Sequence, residues 1–152
     1  FDRLKISEPT VQTLDASHAI VEFLYKRALK WFRAGHFDRA EAIFRALCIL
    51  DTSSADFHVG LGICLRRRSA WHDALDAFEA AARLRPEWAI PRFHMLELLM
   101  RRGEWKRGAE ELAAFEARLD RNVPPALTSE VARFRAALAL RSTEAESRKI
   151  AL

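Results

Sequence analysis

Residues 31–51, WFRAGHFDRAEAIFRALCILD, read as the end of one helix, a tight turn and a second helix. Gly35 punctuates the turn, where a residue without Cβ takes positive φ at little cost. Phe37 follows, and Ala40, Phe44 and Leu47 then recur at helical spacings. A small residue at Ala40 lets a paired helix approach closely, and Phe44 and Leu47 fill the space beside it.

The same pattern returns 34 residues later and again after 34 more. Gly35 becomes Ser69 and then Gly103, and Phe37 becomes Trp71 and then Trp105. Ala40 becomes Ala74 and then Gly108. Phe44 becomes Phe78 and then Leu112, and Leu47 becomes Ala81 and then Phe115. A helix–turn–helix unit at this period is the signature of the tetratricopeptide repeat. The expected fold is therefore an all-α tetratricopeptide-repeat superhelix. It has three repeats over 21–54, 55–88 and 89–122, an N-terminal segment and helix within 1–20, and a C-terminal capping helix and tail within 123–152.

Half of the 152 residues are hydrophobic, and Gly and Pro number only five each, which suits helices joined by short turns. No apolar run approaches the roughly 18 residues that span a bilayer, and no secretory signal pattern opens the sequence. The net charge is +4. Its basic clusters, Arg66-Arg67-Arg68 and Arg101-Arg102, fall at predicted helix C-termini, where cations offset the helix dipole. A solvated, dipole-matched surface is favoured over a nucleic-acid footprint, which would interleave aromatics. Cys48 and Cys64 form neither a CxxC pair nor a disulfide framework and are expected as free thiols in helices.

Residues 8–19 read as a short helix, with Pro9 in its first turn and Val11 and Leu14 on one side. It could cap the repeats or pack on a second copy of the chain. In the second repeat Leu61-Gly62 is a large–small packing pair. Ser69 holds a position where Gly serves the other repeats, at a cost on the order of 1 kcal/mol if φ is positive there. In the third, bulky Leu96 stands opposite Gly108, an expected compensation. After Pro124-Pro125, apolar Leu127, Val131, Phe134 and Leu138 predict a final helix over the open end of the stack.

No constellation of catalytic chemistry emerges. The five histidines are scattered and lack zinc spacing. Gly60-Leu61-Gly62 lacks the Lys and preceding strand of a phosphate loop and reads as helix packing. No nucleophile, base and orienter come together, so an enzyme is not expected, and neither a metal nor a cofactor. What remains is the concave face, which the first helix of each repeat lines. The residues not used in helix pairing there are Tyr25, Leu29, Phe32 and Arg33, then Val59, Ile63, Arg66 and Arg67, then Phe93, Glu97, Met100 and Arg101. They predict an apolar floor with a basic edge. Aromatics on a solvent-facing surface point to a partner segment, or to a terminal segment folded back over them.

FRAGHFDRAEAIFRALCILD, with DFHVGLGICLRRRSAWHDALDAF after it, resembles the class II chaperones of bacterial type III secretion systems. Residues 44–51 and 60–64 carry the resemblance, and Pro91-Arg92-Phe93-His94 with Leu98-Leu99 and Gly103-Glu104 fits the same family's third repeat. The resemblance implies a cytoplasmic, non-enzymatic chaperone of hydrophobic translocator proteins. It implies that an extended segment near the client's N-terminus binds in the concave groove. Carried over by position, the family's groove aromatics are Tyr25, Phe32 and Phe37. Repeat geometry adds Leu29, Val59, Ile63, Phe93 and Met100, with Arg33, Arg66, Arg67 and Arg101 at the rim. Self-association before the first repeat would involve Val11 and Leu14. Neither nucleic acid nor direct membrane insertion is implied. The alternative is a generic tetratricopeptide scaffold or regulatory adaptor.

Overall fold

The computed structural model describes residues 11–118 and 124–151, residues 11–16 as backbone only. Seven helices follow one another among the described residues: α1 (Val11–Arg33), α2 (Phe37–Leu50), α3 (Ala55–Arg67), α4 (Trp71–Leu84), α5 (Ala89–Arg101), α6 (Trp105–Ala117) and α7 (Pro125–Ile150). Each packs on the next, and α5 also meets α7. This is an all-α tetratricopeptide-repeat stack in which α1–α2, α3–α4 and α5–α6 are the helix pairs and α7 closes the end. None of the described helices is long and apolar enough to cross a membrane.

The three tight turns are built alike. Gly35, Ser69 and Gly103 have φ of 80°, 62° and 72°. Their N–H groups donate to the carbonyls of Phe32, Arg66 and Met100. The next residues, His36, Ala70 and Glu104, donate back to Trp31, Leu65 and Leu99. That pair of bonds is the Schellman arrangement, which satisfies the last carbonyls of one helix and aims the chain into the next. An aromatic, Phe37, Trp71 or Trp105, then opens each second helix.

Behind the turns the repeat columns make the core. Ala40, Ala74, Leu47, Ala81 and Phe78 are fully buried, with Phe44 and Phe115 nearly so. Gly60 and Gly62 let rings from both sides onto α3. A Cβ on Gly60 would collide with the Phe44 ring, and one on Gly62 would stand 2.6 Å from that of Phe78. The glycine pair is therefore a helix-packing device. The vacancy at Gly108 is filled differently from the expectation. Met100 reaches it, its Sδ 3.2 Å from where a Cβ would be, whereas Leu96 is buried in the same cluster without that contact. A flexible thioether suits an irregular gap better than a branched leucine.

The ends of the chain differ from the sequence reading in two ways. The short helix expected over 8–19 is not separate: α1 runs unbroken from Val11 through Arg33. No Gly or Pro interrupts that stretch, so helical hydrogen bonding continues. The expected start at Glu8 lies outside the described residues. At the other end Pro124 is the N-cap of α7 and Pro125 its first residue, where a missing N–H costs nothing and a fixed φ helps. Ala137 stands 34 residues after Gly103, at the place of the turn glycine, and there α7 runs straight on.

Candidate functional site

On the concave side, α1 and α3 enclose a cavity of about 250 Å³. Tyr25, Leu29 and Phe32 come from successive turns of α1, and Val59 and Ile63 face them from α3. Phe44 shows through at the floor because Gly60 has no side chain in front of it. Tyr25 is held by Phe57 at 5.3 Å between ring centroids and by Phe44 edge-on at 6.4 Å. Such aromatic contacts fix ring orientation as well as burying area. Five of the residues expected in the groove thus come together around one space.

The others do not line it. Phe37 sits behind Phe32, ring edge to face at 5.3 Å, with the Arg67 guanidinium over its outer side. Phe93 packs toward Phe134 of α7 at 6.2 Å, and Met100 is buried beside Gly108. Both belong to the second core cluster, around Leu96, Leu112, Phe115 and Val131. The physical reason is the capping helix: α7 brings its own aromatic onto the concave side of α5. Val11 and Leu14 fall in the stretch described as backbone only.

The basic edge is also modified. Arg33, Arg67 and Arg101 are exposed. Arg66 is not a free rim cation, since its side chain is only 15% exposed and it donates to Glu97 of α5 at 2.6 Å. Arg101 donates to the other Glu97 oxygen at 3.2 Å. His94 stacks on Phe78 and lies 3.3 Å from Arg66. The neighbouring His94 ring, with the Arg66 and Arg101 guanidiniums, holds the Glu97 carboxyl down to about 2 against its partial burial. The His94 nitrogen stands off at 3.9 Å, so the close hydrogen bond is that from Arg66. This polar bridge ties α3 to α5.

Besides Phe44 and Gly60, which the sequence assigns to helix packing, two more lining residues were not among the groove candidates. Trp88, the N-cap of α5, lines the cavity, and Arg85 lies 4.4 Å over its ring. Asp56 is the carboxylate in the lining, 3.4 Å from the same Arg85. An aromatic in a four-residue connection between helices was a usable signal for Trp88; Asp56 offered none beyond its place in the first turn of α3.

No group of His, Cys, Asp and Glu suited to a metal occurs among the described residues. Burial pushes the Cys48 thiol up to about 11, and burial with the nearby Glu41 charge pushes Cys64 to about 12. Neither carries a thiolate at neutral pH. An apolar pocket flanked by a carboxylate and an indole can take an aliphatic side chain while leaving polar groups for a bound backbone.

Comparison with known proteins follows the same lines. No family model matches the sequence. The chain is 29% identical over 90 residues to the low calcium response locus protein H of Yersinia pestis, covering 59% of this chain and 54% of that one. It is 31% identical over 106 residues to the chaperone protein SicA of Salmonella dublin, covering 66% and 64%. It therefore spans about half to two thirds of the length of these relatives. The fold matches the Yersinia enterocolitica type III secretion chaperone SycD in complex with a peptide of the translocator YopD. The TM-score is 0.77 and the identity 25%, over 82% of this chain and 95% of that one. By sequence and fold together, the chain is similar to the translocator chaperones of type III secretion.

Proposed function

We propose that this protein is a cytoplasmic, non-enzymatic chaperone of a type III secretion system. It holds an extended N-terminal segment of a hydrophobic translocator in its concave cavity and keeps that client soluble and competent for secretion. The observation that carries the reading is the apolar space between Tyr25, Leu29, Phe32, Val59 and Ile63, open on the concave face of a rigid stack. An extended segment drops one side chain into such a space and buries it at about 25 cal/mol per Å². Masking the client's apolar residues in this way suppresses their self-association. Ile20 and Phe23, 55% and 62% exposed on α1, support self-association of the chain through that helix.

Co-expression with the translocator of the same secretion system tests the proposal. The client is expected in the soluble fraction only when the chaperone is present. Tyr25→Ala with Phe32→Ala should weaken the complex about thirtyfold or more, the scale of a buried aromatic anchor, with helicity retained. Ile63→Trp, which fills the cavity, should do the same. Unchanged affinity in both variants would show that the client sits elsewhere.

A further inference from the structure

At the far end of the stack, α6 and α7 leave a notch of about 400 Å³ that the concave cavity does not reach. Trp105, Leu138 and Ala145 give it an apolar floor. Lys106, Arg141 and Arg148 surround that floor, against the single carboxylate of Glu144. The notch exists because α7 fails to turn at Ala137. Arg135 pairs with Glu116 near the end of α6, and Arg141 already reaches Trp105 at its start. Residues 142–150 then continue past α6 as helix, some 13 Å at 1.5 Å per residue.

The cations here differ from those elsewhere in the fold. Between other helices the arginines are engaged: Arg66 with Glu97 at 2.6 Å, Arg92 with Glu111 at 3.1 Å, Arg135 with Glu116. In the notch, Arg141 stands 3.9 Å from Glu144, beyond hydrogen-bond reach. Lys106 and Arg148 have no carboxylate partner among the described residues. The Arg141 guanidinium lies over the Trp105 ring, 4.6 Å from its centroid. A guanidinium carries five N–H donors, so one held against a ring still has donors to fork onto a carboxylate.

We propose that this notch is a second docking site, for an acidic segment of a protein partner. An apolar side chain of the segment packs on Trp105 and Leu138, and flanking carboxylates meet Arg141, Arg148 and Lys106. A single aromatic does not offer the series of stacking surfaces that a nucleic-acid strand uses. A recessed floor likewise presents little to a flat anionic bilayer.

The test titrates the full chain, labelled with nitrogen-15, with the capped pentapeptide EDFDE and its neutral counterpart QNFNQ, following the Trp105 indole N–H. EDFDE should shift that signal and QNFNQ should bind about tenfold more weakly. Arg141→Glu with Arg148→Glu should remove the EDFDE shift, and Lys106→Glu, on a different helix, should weaken it. Ile63→Trp in the concave cavity should leave it unchanged. Equal binding of the two peptides, or binding that survives both charge variants, overturns the proposal. So does a Trp105 shift produced by phosphatidylglycerol vesicles and not by EDFDE.

Discussion

At position 69 the backbone takes φ of 62° with a Cβ attached, in a turn where the other two repeats use glycine. The left-handed region costs an L-residue about 1–2 kcal/mol, part of which glycine returns as extra freedom in the unfolded chain. Ser69→Gly is therefore expected to stabilise the protein by about 0.5–1 kcal/mol. Thermal unfolding should show a midpoint about 2 °C higher, with peptide affinity unchanged. A lower midpoint would mean that the Ser69 side chain contributes more than its conformation costs. This strain was legible because the repeat column itself assigns the conformation. Glu41 was not legible. It sits in α2 where a solvated face was natural, yet it is 5% exposed and bonded by Arg45 and Arg68. Arg68 comes from the end of α3, so only the stacking of one repeat on the next could show that pair.

Among the elements, α3 presents a glycine to an aromatic ring on each side, and these glycines set how near α2 and α4 come. Gly62→Ala places a methyl 2.6 Å from the Phe78 ring. That ring is fully buried and has little room to move. The expected cost is about 1–3 kcal/mol, as for other overpacked cores, read as a lower denaturant midpoint. Adding Phe78→Leu should recover part of it, since the two residues share one contact. Independent, additive losses in the double variant would contradict direct contact as the cause. The Leu61-Gly62 pairing could be seen in the sequence as a large–small step in a helix. The destination of Met100 could not. Spacing put it on the concave face, and the vacancy at Gly108 drew it inward.

Across the whole molecule, neighbouring repeats are joined by apolar columns and a few polar bridges, and the bridge from Arg66 to Glu97 spans α3 and α5. Because the folded-state Glu97 carboxyl is held down to about 2, below its ordinary value of 4.5, the unfolded chain binds the proton more readily. The stability from this group is thus present above about 4.5 and lost as pH falls toward 2. Solvent screening of a partly exposed pair leaves about 1 kcal/mol. Denaturant melts of the wild type should weaken by that amount across the window, and Glu97→Gln should flatten this part of the profile. An unchanged slope in the variant would place the acid sensitivity in another carboxylate.

The sequence by itself determined the helices, their pairing and the turn geometry, because small and aromatic residues recur at one fixed period and each repeat needs only its neighbours. It also placed Tyr25, Leu29, Phe32, Val59 and Ile63 on one inner surface, because helical spacing alone decides which way they face. The tertiary structure decided how far that surface stays open. Trp88 and Asp56 join it, Arg66 is drawn off to Glu97, and Phe93 and Met100 are withdrawn into the second core. Those outcomes depend on how one repeat leans on the next and on where α7 lands, and such long-range contacts leave no periodic trace along the chain.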